Sequence, residues 1–281
     1  MIREIFVPLL RNASDDAALD AALAIAGAHS AHIAALVTLE MPIPLVSEFG
    51  YVPVEFNQYQ LDEASADAER RAGLARARLA RQAISSEVRV TRAMALWSEE
   101  TAALHALHCD FSVLGRPDPG TDAGSPRFGL GFRSLLLRSG RPVLVVPAEA
   151  AVVPAPRRVE LAWKPSPEAA RAVHEALPLL ARDAQVDVLL VDPQVGEGGH
   201  GEQPGADIAR HLARHGLEVN VVERPREGRS TAQSLLQHAG EAGAELLVMG
   251  GYGHHHWREL VLGGTTRSVL RDARLPVFFA H

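Results

Sequence analysis

The residues of this chain best suited to chemistry are Gly250, Gly253, Gly263 and Gly264, followed at once by Thr265 and Thr266. They lie in the stretch ELLVMGGYGHHHWRELVLGGTTRSVLRDARLPVFFAH, from Glu245 to His281. This reads as a buried strand (Leu246 to Met249), a glycine-rich loop, a helix and a second buried strand (Pro276 to Phe279). Glycine has no Cβ, so such a loop lets backbone N–H groups come close to an anion. The helix start adds the positive end of a dipole, and the threonines add hydroxyl donors. These are the parts of a phosphate cradle.

Other clusters are less suited to a reaction. His254 to His256 are consecutive, and adjacent residues on a helix do not face one another. His105, His108 and Cys109 stand at i, i+3 and i+4, a spacing that can present one face to zinc. No fourth ligand is placed by the sequence, however, and TAALHALH reads as an amphipathic helix. His211 and His215 flank the Ile208/Leu212 stripe of another. No metal site is assigned. The chain also lacks G-x-S-x-G, C-x-x-C, H-E-x-x-H and a P-loop, so no catalytic residue is assigned either. Gly251-x-Gly253 and Gly129-x-Gly131 are incomplete dinucleotide fingerprints, and neither follows the first strand of its unit.

Composition narrows the partners. A formal net charge of −6 argues against nucleic acid, whose phosphates need a basic face. Cys109 is the single cysteine, which excludes an internal disulfide and suits a reducing compartment. MIREIFVPLL lacks the pattern of a secretory signal, and no apolar run approaches the ~18 residues of a membrane span. The expectation is a cytoplasmic protein with no membrane partner.

The elements that must position the glycine loop occur twice. REIFVPLLRNASDDAALDAALAIAG from Arg3 and RRVELAWKPSPEAARAVHEALPLLA from Arg157 share one pattern. Each is an apolar strand, a short turn, a serine placed to N-cap (Ser14, Ser166), early acidic residues and an apolar helical stripe. SLLLRSGRPVLVVP from Ser134 and SVLRDARLPVFFAH from Ser268 end the two copies alike. The first copy carries about twenty extra residues between its second strand (Ile33 to Leu39) and third (Val88 to Met94). The boundaries are set at 1–147 and 156–281, around the Pro/Ala linker PAEAAVVPAPR.

Each copy reads as strands alternating with helices, β-α-β-α-β-α-β-α-β. In the second, the strands are expected at Val159–Trp163, Val186–Asp192, Glu218–Glu223, Glu245–Gly250 and Pro276–Phe279, with helices from near Ser166, Gly205, Ser230 and Gly264. Near-continuous aliphatic strands between amphipathic helices imply an α/β fold, with a parallel sheet covered on both faces. Ligands of such sheets bind at the carboxyl ends of the strands, where strand order reverses. That point falls between the first and fourth strands and sets Trp163/Lys164 opposite Gly250/Gly253.

Gly250-x2-Gly253-x9-Gly263, after a VMG strand and before a helix and a Pro-Val strand, resembles the signature of the universal stress protein family. Two copies resemble a tandem member. The resemblance implies two Rossmann-like (HUP-type) domains, each a five-stranded parallel sheet of order 3-2-1-4-5 with helices on both faces. It implies ATP as ligand, with Mg2+ alongside, held by Met249, Gly250, Tyr252, Gly253, Gly263, Gly264, Thr265 and Thr266. Val191 takes the adenine-lining position. Lys164 stands where the family carries an aspartate, and Gly264 where it carries Ser/Thr. A cation cannot accept ribose hydroxyls, and loss of one charge-assisted hydrogen bond costs roughly 1.5–3 kcal/mol; Lys164 could reach a phosphate instead. In the first copy the loop GRPDPGTDAGSPRFGLGF contains Pro117, Pro119 and Pro126, each without an N–H. Leu130 follows its glycine and Leu10 replaces the aspartate, so this copy reads as structural only.

Two functions stay open. One is a non-enzymatic stress-response protein binding an adenine nucleotide or phosphate-like anion in the second copy; slow ATP hydrolysis is compatible with it. The other is a nucleotide-free interaction module of the same fold. The family pairs through its fifth strand, so PVLVVP and PVFFAH can join the halves within one chain, and a homodimer stays open as well.

Overall fold

The computed structural model describes residues 1–41, 54–94, 98–117, 126–196, 199–252 and 264–281. In the first half the strands are β1 (Glu4–Leu9), β2 (His32–Met41), β3 (Ser86–Met94), β4 (Phe111–Arg116) and β5 (Val143–Pro147). Between them run α1 (Asp15–His29), α2 (Val54–Leu79), α3 (Ser98–Ala106) and α4 (Pro126–Arg138). The second half repeats the series. Its strands are β6 (Arg158–Ala162), β7 (Gln185–Val191), β8 (Glu218–Arg224), β9 (Leu246–Gly250) and β10 (Val277–Ala280). Its helices are α5 (Pro167–Ala176), α6 (Ala206–Arg214), α7 (Thr231–Ala242) and α8 (Gly264–Asp272). The strands fall within two residues of the ranges read from the sequence. The surplus of the first half sits between β2 and β3, where α2 has 26 residues and its counterpart α6 has 9.

Among the described residues the strands form one ten-stranded sheet, β3-β2-β1-β4-β5-β10-β9-β6-β7-β8. Each half is parallel inside, in the order 3-2-1-4-5, and the halves meet through one antiparallel pairing. There Val277 faces Val145, Phe278 faces Leu144 and Phe279 faces Val143. The core therefore continues across the seam on both faces. One face packs Val7, Val37, Val188 and Phe278 beneath α1, α2, α5 and α6. The other packs Phe6, Leu114, Leu247 and Phe279 beneath α3, α4, α7 and α8. Phe278 meets Phe111 edge-on at 6.0 Å, and Phe279 meets Phe132 at 5.0 Å. Burying each such ring contributes about 1.5–3 kcal/mol, so the seam is a structural joint.

Local sequence explains the helix starts. Ser166 caps α5 by accepting the Ala169 N–H at 3.2 Å, with Pro167 opening the helix. Ser230 and Gln233 form a reciprocal capping box on α7, which ends at Gly243 in the left-handed conformation. Ser14 departs from the expected cap: its Oγ donates to the Arg116 carbonyl at 2.7 Å. It ties α1 to the end of β4 because Asp15 already takes up the loop's N–H groups. The Asp15 carboxylate accepts from Leu10, Arg11 and Asn12 at 3.1, 2.9 and 3.3 Å.

The fourth strand of each half touches the first helix of that half so closely that only glycine fits. A Cβ on Gly115 would lie 1.9 Å from the Ser14 carbonyl oxygen, and one on Gly250 would lie 2.8 Å from the Ala169 nitrogen. We expect Gly115→Ala and Gly250→Ala each to destabilise the fold by about 1–3 kcal/mol in denaturant unfolding. Unchanged midpoints would show that the helix starts have room to retreat.

Candidate functional site

In the second half the sheet order reverses between β6 and β9, where Ala162 pairs with Met249. At that edge the chain leaves β6 through Trp163 and exposed Lys164, and leaves β9 through Gly250, Gly251 and Tyr252. Val191 ends the neighbouring β7, two residues beyond Leu189, which pairs with Ala162. Ala162, Val191 and Met249 belong to the same face of the sheet as α8. Gly264, Thr265 and Thr266 form the first turn of that helix, with Gly264 exposed, Thr265 half-buried and Thr266 buried. The structure thus brings Lys164, Val191, Met249, Gly250 and the β9 exit to one edge. Gly253, Gly263 and the histidine run His254–His256 lie outside the described residues.

Tyr252 packs against the first half. With φ at 59° its ring stacks on Phe132 of α4 at 6.3 Å and meets His281 edge-on at 6.3 Å. Burial pushes its phenol up to about 12, and its hydroxyl has no partner among the described residues. His281 Nδ1 lies 3.0 Å from the Gly251 carbonyl oxygen, which pins the start of the loop. Gly250 has a second duty besides approach to an anion, because it is also the contact between β9 and α5. Arg116 of the first half donates from Nη1 to the Arg271 carbonyl in the last turn of α8. A cation at a helix C-terminus is favourable.

At the corresponding edge of the first half, described side chains contact one another. Leu10 fills the position under α4, where a Cβ on Gly131 would come within 2.9 Å of its Cδ1. Arg127 clasps Glu40 through both terminal nitrogens. Arg11 reaches Asp67 at 3.0 Å and Glu40 at 3.8 Å, and Arg71 reaches Asp67 at 2.9 Å. The loop N–H groups after β1 are occupied by Asp15, whose carboxyl burial raises to about 6 against the pull of those three hydrogen bonds.

One polar cluster escaped the reading of the sequence. Glu160, Asp187 and Asn220 stand in register across β6, β7 and β8, and Glu160 is fully buried. His238 of α7 covers the row, with Nδ1 2.8 Å from Glu160 Oε2 and Nε2 3.8 Å from Asp187. The available signal was a carboxylate in the middle of the apolar run RVELA. In the first half Phe6 takes the place of Glu160, and His105 stacks on it at 6.5 Å.

The strand order and the helices on both faces define a doubly wound α/β protein. Residues 156–281 match the model of the Universal stress protein family. Universal stress proteins of Mycobacterium tuberculosis and Mycobacterium bovis are each 30% identical over 167 residues, covering 53% of this chain and 54% of theirs. The chain spans about half the length of the curated relatives it matches. A universal stress protein from Archaeoglobus fulgidus superposes over 99% of this chain and 95% of its own, with a TM-score of 0.68 at 17% identity. A putative one from Pseudomonas aeruginosa covers 99% and 93%, with a TM-score of 0.56 at 16% identity. At these identities the solved structures speak for the fold.

The Glu160–His238 pair gives a pH test. Burial pushes the Glu160 carboxyl up to about 7, and the hydrogen bond to Glu160 raises His238. Both groups hold protons more tightly folded than unfolded, so the native state binds the excess. Stability from the pair is therefore complete below about pH 4.5 and is lost as pH rises through 7 and above. Glu160→Gln removes most of that slope. Melting curves from pH 4.5 to 8 should show the variant gaining on the wild type toward alkaline pH, by on the order of 3 kcal/mol. Parallel profiles would contradict the assignment.

Proposed function

We propose that the second half binds an adenine nucleotide, ATP with Mg2+, at the edge between β6 and β9, and that the chain is a non-enzymatic stress-response protein. The observation that carries this reading is the glycine spacing Gly250-x2-Gly253-x9-Gly263, set where the parallel sheet reverses its order and running into a threonine-rich helix start. Gly253, Gly263 and Gly264 offer backbone N–H groups to the phosphates, and Thr265 and Thr266 offer hydroxyls. Val191 and Met249 face the base, while Tyr252 anchors the loop to the first half. Lys164 reaches toward phosphate rather than ribose. The glycine spacing supports the phosphate half of the site; the nucleoside half lacks the aspartate at the end of β6. We place two domains at 1–147 and 156–281, the first serving as a closed structural copy. Among the described residues no helix is long and apolar enough to cross a membrane, and we place the protein in the cytoplasm.

A second reading, a nucleotide-free interaction module, draws on Leu10 and Lys164 standing where an aspartate is expected. The fifth strands are already paired with each other inside the chain. A homodimer of this chain must therefore use another surface.

Calorimetric titration with Mg2+-ATP separates the readings. We expect one nucleotide per chain, with affinity about ten- to a hundred-fold weaker than an aspartate-bearing site would give. Binding should be lost in Gly253→Val and Gly263→Val, whose added side chains crowd the loop. No heat at millimolar ATP, or binding indifferent to both substitutions, favours the interaction module.

A further inference from the structure

The polar row beneath α7 has no part in the site proposed above. Glu160 stands in the middle of β6 between Val159 and Leu161 and is fully buried. Its Oε2 meets His238 Nδ1 at 2.8 Å, and its Oε1 has no hydrogen-bond partner among the described residues. A carboxylate so withdrawn from water is costly unless a proton or a cation neutralises it. His238 answers that need and comes from α7, so the proton shared by the two side chains also holds the helix to the sheet. Asp187 of β7 supports the arrangement: its Oδ2 lies 3.8 Å from His238 Nε2, and its Oδ1 accepts from Asn220 of β8 at 3.1 Å.

Other charges surround the helix. Arg224, at the end of β8, pairs with Glu241 of α7 at 3.0 Å and opposes protonation of His238, while Glu160 and Asp187 favour it. α8 also packs on α7 and carries Arg267, Arg271 and Asp272, the last two paired with each other. Burial pushes the Glu160 carboxyl up to about 7, and the hydrogen bond to Glu160 raises His238. A lifted α7 returns both groups to water and to their ordinary values. The docked helix therefore binds more protons, and its extra stability is complete below about pH 4.5 and lost as pH rises through 7. The first half differs. Phe6 stands in place of Glu160 and stacks with His105, which burial holds below the usual histidine range, so α3 gains no hold from acid.

We propose that Glu160 and His238 form a proton-held latch for α7: rising pH frees the helix from the sheet and bares its apolar stripe, Ala232, Leu235 and Ala239. The opening is confined to the second half, since at the matching place α3 rests on Phe6 through its own buried Ala102 and Ala106. The molecule thereby carries a conformational response to alkaline conditions that is separate from any ligand.

Hydrogen exchange of the full chain, read by mass spectrometry at pH 5 and pH 8, tests the latch, with protection taken relative to the intrinsic exchange rate at each pH. We expect protection of residues 231–242 to fall at least about tenfold from pH 5 to pH 8, while that of 98–106 stays level or rises. In Glu160→Gln, which keeps the shape and has no proton to lose, the fall should shrink to within about twofold. A smaller fall of 231–242 in the wild type, or an equal one in 98–106, overturns the proposal. So does a Glu160→Gln variant, shown to be folded by its melting curve, that keeps the wild-type fall. The comparison of two helices within one wild-type chain decides the matter even where the variant does not fold.

Discussion

The antiparallel pairing of β5 with β10 is the constraint on which the rest of the molecule depends. Each half alone would present its fifth strand as an open edge with unpaired N–H and C=O groups. Joined, the two five-stranded sheets become one, and both hydrophobic layers run unbroken beneath the helices. The aromatic contacts Phe111–Phe278 and Phe132–Phe279 cross the seam. They fix the halves in one relative orientation, with Tyr252 of the loop and α4 of the first half pressed together.

That joint lets the halves diverge. In the first half Leu10 packs against α4 at Gly131, and Arg11, Arg71, Arg127, Glu40 and Asp67 form ion pairs near the end of β2. It still serves the second half. Phe132 receives the Tyr252 ring, and Arg116 caps the end of α8. The second half keeps an edge at which strand order reverses, a glycine loop begins and a helix start is exposed. In a sheet of this type such an edge is where ligands bind. The first half thus supplies contacts that hold the loop and the last helix of the second in place.

Much of this was legible in the sequence. The repeat, the alternation of aliphatic strands with amphipathic helices and the Pro-Val fifth strands gave the fold class and the joining of the halves. Ser166 and Ser230 marked helix starts correctly because capping is a local interaction. Ser14 misled, since its hydroxyl has a choice between a local N–H and a carbonyl brought near by the sheet, and Asp15 had already satisfied the loop. Glu160 was missed for a related reason: its partner His238 lies 78 residues away and meets it only once α7 is laid on the sheet. The contact of Tyr252 with Phe132 across the seam was not legible, because the two lie in different halves of the sequence. Gly250 read as an anion-approach glycine, and tertiary contact adds a steric reason for it in the start of α5.

The central claim is that the edge of the second half binds nucleotide while that of the first is closed. Photolabelling with 8-azido-ATP followed by peptide mapping tests it most directly. The account predicts one adduct per chain, confined to peptides from residues 156–281 and competed away by ATP. Adducts on the first half, or labelling that ATP does not displace, would contradict it.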